Sequence, residues 1–117
     1  MRPTVLVVDD HPQFRRSARA LLTAEGFDVI GEAADGDEAV AAAVRLTPQV
    51  VLLDIQLPGH DGFAVAARLR ALPVPPSIVL ISGRDPRTFA ERLSGQPFLA
   101  KDDLSGAALA ALVGCDG

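Results

Sequence analysis

Tryptophan and tyrosine are absent from the 117 residues, and five phenylalanines bring the aromatic share to only 4%. Without tryptophan or tyrosine there is little from which to build a base-stacking platform. One cysteine, Cys115, excludes an internal disulfide. The apolar runs Val5-Leu6-Val7-Val8 and Val50-Val51-Leu52-Leu53 fall far short of the ~20 residues of a membrane helix. Met1-Arg2-Pro3-Thr4 leads straight into the first run, without the apolar region or small-residue cleavage site of a secretory signal. Basic charge is outnumbered, 11 Lys+Arg against 15 Asp+Glu for a net −4, which is poor equipment for gripping phosphate backbones. Three motifs are also missing: the P-loop, the dinucleotide-binding Gly-x-Gly-x-x-Gly and the nucleophile elbow Gly-x-Ser-x-Gly. The expectation is one soluble, cytoplasmic domain over residues 1–117, with no membrane contact and no direct DNA binding. The scarcest charged type is lysine, because ten of the 11 cationic residues are arginine and only Lys101 is not. A compositional bias toward arginine accounts for the ten and leaves the one unexplained.

Five short apolar runs alternate with helix-patterned segments. The runs are Thr4-Val5-Leu6-Val7-Val8, Phe27-Asp28-Val29-Ile30, Val50-Val51-Leu52-Leu53, Ser77-Ile78-Val79-Leu80-Ile81 and the weaker Pro97-Phe98-Leu99-Ala100. Near-continuous β-branched stretches fit strands buried on both faces. Between them, Pro12 suits a first helical position, with Phe14, Ala18, Leu21 and Leu22 on one face, and Gly26 marks a helix end. Asp35 or Gly36 opens a second helix with the stripe Ala39, Val40, Ala43 and Val44, stopped by Pro48. Asp61 caps a third, turning Val65, Ala66, Leu69 and Leu72 inward. Pro86 starts a short fourth around Phe89 and Leu93 that Gly95 ends, and residues 105–113 form an uncharged last helix. The alternation predicts an α/β fold, a doubly wound five-stranded parallel sheet.

In such a sheet, ligands bind beyond the C-terminal strand ends. Four of the five ends carry chemistry: Asp9-Asp10, Asp54, Ser82 and Lys101. The second ends in Gly31-Glu32-Ala33 and puts Glu32 at the periphery. Taken singly, an aspartate or serine after a strand is an ordinary cap or turn residue. Taken together, three carboxylates repel unless one is protonated or a cation joins them. A hard, oxygen-ligated ion such as Mg²⁺ fits, whereas His11 and His60 lack the spacing of a zinc pair. An ammonium and a hydroxyl beside such an ion can neutralise phosphoryl oxygens, with one carboxylate as nucleophile.

These stretches resemble the receiver domain of two-component response regulators over nearly the whole chain. The resemblance rests on Val7-Val8-Asp9-Asp10-His11-Pro12, Asp54-Ile55-Gln56-Leu57-Pro58-Gly59-His60-Asp61-Gly62, Ile81-Ser82-Gly83 and Phe98-Leu99-Ala100-Lys101-Asp102. The start and the Lys-Asp end are similar to receivers that carry a helix-turn-helix output domain. The resemblance implies a flavodoxin-like strand order 2-1-3-4-5 and phosphorylation of Asp54 by a histidine kinase or phosphotransfer protein. It implies Mg²⁺ on Asp10, on Asp9 through water, on Asp54 and on the Gln56 carbonyl. Ser82 and Lys101 would each meet a phosphoryl oxygen, and Phe98 would act with Ser82 as the switch. Pro58 and Gly59 would shape the loop, and Arg84 would lie near the site. Output to a downstream protein partner, or homodimerisation, would use the face of the fourth helix, fifth strand and fifth helix. The chain departs from the family in having Asp102 where proline usually follows the lysine, so a trans bond is expected there. Gln56 stands where aspartyl-phosphate phosphatases carry their second acid, so no enzymatic turnover of external substrates is expected. Two alternatives are a receiver-like interaction module that works without phosphorylation and a receiver cut from a longer DNA-binding regulator.

Overall fold

A computed structural model describes residues 2–57, 59–84, 86–93 and 95–113. Five parallel strands form the central sheet: β1 (Thr4–Val8), β2 (Asp28–Ala33), β3 (Val50–Asp54), β4 (Ser77–Ser82) and β5 (Phe98–Ala100). Five helices follow them: α1 (Pro12–Ala24), α2 (Gly36–Leu46), α3 (Gly62–Arg70), α4 (Ala90–Leu93) and α5 (Gly106–Val113). In space the strands run β2-β1-β3-β4-β5, the expected 2-1-3-4-5 order. The order reverses between β1 and β3, so the crevice of this sheet opens where Asp9 and Asp54 emerge.

Both faces of the central strands are apolar, and the strand period of two sorts the side chains between them. Leu6, Val8, Val51, Leu53, Ile78 and Leu80 face one core, completed by Ala39, Ala43, Val65, Ala66 and Leu69 of α2 and α3. Val5, Val7, Val50, Leu52, Val79 and Ile81 face the other, with Ala18 and Leu22 of α1 and Leu109 of α5. Burying each leucine is worth roughly 1.5–3 kcal/mol, so the two layers, rather than the polar rim, hold the sheet. One expected stripe needs correction: Val44 is 60% exposed, and Ala42 is buried in its place. Ala42 and Ala43 turn inward with Ala39 and pack into the core layer of Leu6 and Leu53. The uncharged α5 buries only Gly106 and Leu109 and leaves Leu112 exposed.

The local signals read from sequence appear as hydrogen bonds. Asp35 accepts from the Glu38 N–H and Asp61 from the Phe63 N–H, while Pro12 opens α1. Gly26, just past α1, has φ +98°. The fourth helical segment is one 3₁₀ turn, Pro86–Phe89, running into the four residues of α4. Among the described residues no peptide bond is cis, which agrees with the expected trans Lys101–Asp102 bond. None of their helices is long and apolar enough to cross a membrane. Pro58 and Cys115, singled out in the sequence, lie outside the described residues.

A small antiparallel hairpin, Gln56–Leu57 against His60–Asp61, follows β3 where the resemblance implies only a loop. Its base closes through the Gly62 N–H donating to the Ile55 carbonyl at 2.9 Å. A β-carbon at Gly62 would lie 2.5 Å from Ile55 Cα and 2.6 Å from its carbonyl oxygen, both backbone atoms. Gly62→Ala is therefore expected to cost about 2 kcal/mol in urea unfolding. Gly83→Ala, where a β-carbon meets nothing within 4 Å, should stay within ~0.5 kcal/mol. Equal melting curves for the two variants would contradict this packing.

Candidate functional site

Three strand ends meet at the β1/β3 crevice. The Asp9 N–H continues the sheet ladder by donating to the Ala33 carbonyl at 3.0 Å, which fixes the backbone of the acid pair. From the other side, Arg15 Nη1 donates to the Asp9 carbonyl at 2.6 Å. Asp54 ends β3 in register with Ile81, and Ser82, at the end of β4, lies opposite Ala100 of β5. Lys101 follows directly, so the topology brings all these residues to one rim.

The site is buried and densely charged. Asp9 and Ser82 are fully buried, and Asp54 is 2% exposed. Lys101 Nζ lies 2.6 Å from Asp9 Oδ2 and 3.4 Å from Asp54 Oδ2, so one ammonium bridges both carboxylates. Nζ also stands 4.7 Å from the centre of the Phe14 ring, whose face attracts the cation. The Gln56 N–H donates to Asp54 Oδ1 at 2.9 Å. Ser82 Oγ accepts the Arg84 N–H at 3.0 Å, leaving the hydroxyl proton free to donate elsewhere. Phe98 is half-buried against the core layer that contains Leu80. The Arg84 side chain is exposed, and Glu32 lies outside the cluster, held by Arg15 and Arg19 at the edge strand.

Burial raises the Asp54 pKa above 3.8, and nearby Asp9 adds to the shift, against the lowering effects of the Gln56 N–H and Lys101. Burial alone would lower the Lys101 pKa, but hydrogen bonding and charge from Asp9 and Asp54 outweigh it and raise the pKa above 10.5. At the hairpin, hydrogen bonds from Arg92 and the Phe63 N–H outweigh desolvation and lower the Asp61 pKa.

The donor set suits a divalent cation. Asp9, Asp10, His11 and Asp54 each present one ligand atom, all within 4.8 Å of one another. Asp10 Oδ1 is an inaccessible atom that accepts no hydrogen bond. Asp9 Oδ2 meets the Lys101 ammonium, at 2.6 Å. Asp9, Asp10, Asp54 and Lys101 come together here, with Ser82 at the end of the neighbouring strand, whereas His60 of the hairpin sits 3.8 Å from Asp37 of α2. Two features escaped sequence reasoning. The His11 ring turns onto the acid pair, and only its position directly after them signalled this. Arg92 pairs with Asp61 and stands 4.3 Å over the Phe63 ring, tying α4 to α3, a contact that no local pattern encodes.

The model of the response regulator receiver domain matches residues 5–102. The virulence-factor transcription regulator BvgA of Bordetella pertussis is 42% identical over 88 residues, covering 75% of this chain and 42% of that protein. NarL, a transcriptional regulatory protein of Mycobacterium tuberculosis, is 37% identical over 115 residues, covering 95% and 53%. The chain thus spans about half the length of the curated relatives it matches. The solved receiver domain of that NarL superposes with a TM-score of 0.81 at 36% identity, covering 97% of this chain and 95% of that one. A LuxR-family response regulator from an Aurantimonas species gives 0.83 at 27% identity, covering 97% and 87%.

The raised Asp54 pKa carries a stability prediction. A carboxyl group whose folded pKa lies above its unfolded value favours folding fully below the unfolded value, 3.8, and loses that contribution as pH rises through the folded one. Asp54→Asn removes the penalty of the buried charge, so in chelator at pH 7 it should melt above wild type. The difference should shrink as pH falls toward 4. A variant that melts below wild type at pH 7 would contradict this charge balance.

Proposed function

The chain belongs to the response regulator receiver domain family, and from that premise we propose that it is the phosphoacceptor of a two-component phosphorelay. In this reading Asp54 takes a phosphoryl group from a sensor histidine kinase or phosphotransfer protein. The observation that carries the proposal is the Lys101 ammonium lying against both Asp9 and Asp54 at the mouth of a parallel sheet.

Asp9, Asp10, Asp54 and the Gln56 carbonyl would hold Mg²⁺, whose charge when bound offsets that of phosphoryl oxygens. The Gln56 N–H fixes Asp54 Oδ1 and so orients the carboxylate. A new bond forms from a carboxylate oxygen of Asp54 to phosphorus as the phosphorus–nitrogen bond of the donor phosphohistidine breaks, and the freed imidazole takes up a proton. Lys101 keeps Asp54 anionic before transfer and can follow a phosphoryl oxygen afterwards, its flexible stem allowing the shift. Ser82 turns its free proton toward another oxygen, and Phe98, one strand over, reports the movement toward the fourth helix, fifth strand and fifth helix. That face passes the signal to a downstream protein or to a second copy of the chain. The domain works in the cytoplasm and modifies only itself, because Gln56 offers no acid–base group for turning over external substrates. The curated relatives named above are transcription regulators about twice this length. That observation favours a second reading, in which this receiver governs a DNA-binding segment of a longer protein. An immunoblot of the native gene product distinguishes a ~12 kDa lone domain, the size of this chain, from a longer regulator.

Incubation with a small phosphodonor and Mg²⁺ should add one phosphoryl group by intact mass, and Asp54→Asn should abolish it. Equal labelling of the variant would remove Asp54 from the role. Lys101→Arg should fold normally and still accept phosphate, yet lose at least tenfold of the phosphorylation-dependent gain in partner or self-association. Unchanged coupling would make the lone lysine a coincidence of composition.

A further inference from the structure

The ring of His11 has no part in the phosphoacceptor reading, yet it faces the acid pair. Nδ1 lies 2.8 Å from Asp9 Oδ1 and 3.1 Å from Asp10 Oδ1. Neighbouring ligands on an octahedral ion with bonds of about 2.1 Å stand roughly 3.0 Å apart. Without an ion, Asp9 Oδ1 is hydrogen-bonded to both the His11 ring nitrogen and the His11 backbone N–H, and the same separations suit donors that share one coordination sphere. Lys101 occupies the far oxygen of Asp9, Oδ2, so Oδ1 is left toward His11 and Asp10. Asp10 Oδ1 is inaccessible to water and accepts no hydrogen bond. His11 occupies the N-cap position of α1, but its side chain makes no capping bond, so the contact with Asp9 and not helix capping holds the ring over the acid pair. At 64% exposure the ring is open to an ion arriving from solvent.

We propose that His11 is a nitrogen ligand of this site, making it a mixed carboxylate–imidazole centre in which the ring adds affinity for imidazole-accepting first-row divalent ions, such as Ni²⁺ and Fe²⁺, and adds none for the Mg²⁺ that the acids hold. The inference rests on the reading that the acid cluster binds a divalent cation, and it specifies which class. Imidazole suits nickel, iron, copper and zinc, whereas Mg²⁺ takes oxygen ligands. Coordination uses the neutral ring with its proton on Nε2 and the Nδ1 lone pair directed to the ion, and nothing is oxidised. Removing the ring therefore costs affinity for one class of ion and spares the other. A ring that only oriented Asp9 by hydrogen bonding would matter to both classes alike.

Titration calorimetry of the metal-free chain with NiCl₂ and with MgCl₂ tests this on wild type, His11→Ala, His11→Gln and Asp10→Asn. Both His11 variants should raise the Ni²⁺ Kd at least tenfold and leave the Mg²⁺ Kd within twofold, while Asp10→Asn weakens both ions. Equal losses for the two ions in the His11 variants, or no loss for either, would overturn the proposal. So would Ni²⁺ binding indifferent to Asp10→Asn, which places the ion elsewhere. If wild type binds neither ion, the cation reading fails together with this inference. If Mg²⁺ binding and Asp54 labelling persist while Ni²⁺ ignores the ring, this inference alone fails.

Discussion

Two carboxylates, Asp9 and Asp54, are held out of water beside one ammonium, and the remainder of the site follows from that juxtaposition. Buried like charges drive one another toward protonation, and a buried carboxylate without a partner costs several kcal/mol. Lys101 offsets this at 2.6 and 3.4 Å, and the Gln56 N–H adds a fixed dipole on Asp54. The compensation is incomplete, since the Asp54 pKa still lies above 3.8. A further positive charge entering the cluster would relieve that excess of negative charge, which is the physical reason that the same atoms suit a divalent cation. One compact ammonium able to sit against two carboxylates also gives the lone lysine of this arginine-rich chain a physical reason. The planar, forked guanidinium of arginine would demand a different arrangement of the same oxygens.

The sheet is what makes so costly an arrangement tolerable. Asp9, Asp54 and Ser82 emerge from strands buried on both faces by apolar layers, so their backbones are fixed before their side chains meet. The order reversal between β1 and β3 leaves a gap that no crossover covers, and the acids lie in it. The two edges of the sheet are protected by other means. Glu32 on β2 is clamped by Arg15 and Arg19, and β5 has only three residues. Arg15 also grips the Asp9 carbonyl, so the edge clamp and the placement of the acid pair share one side chain.

Features encoded within a few residues were legible in the sequence. The strand runs, the caps at Asp35 and Asp61, Pro12 at the start of α1 and the gathering of Asp9, Asp10, Asp54, Ser82 and Lys101 at strand ends all depend on local pattern plus one topological rule. Features decided by distant packing were not. Val44 fits the helical stripe, yet Ala42 and Ala43 are the residues that enter the core layer, and the valine is left exposed. Residues 105–113 carry no charge to reveal which side faces solvent, and α5 is placed instead by Leu109 and by Glu25 accepting the Gly106 N–H across 81 positions of sequence. The hairpin after Asp54 depends on backbone contact between Gly62 and Ile55. The direction of the His11 ring depends on two neighbours that the sequence named without orienting.

Asp9 and Asp54 together hold Lys101. Because the chain has a single lysine, ¹⁵N-lysine labelling yields one Nζ resonance, and its pH titration reads this balance directly. The midpoint should lie above 10.5 in the metal-free wild type and fall in Asp54→Asn as one of the two anions is lost. A midpoint at or below 10.5 that does not move in the variant would contradict this pairing.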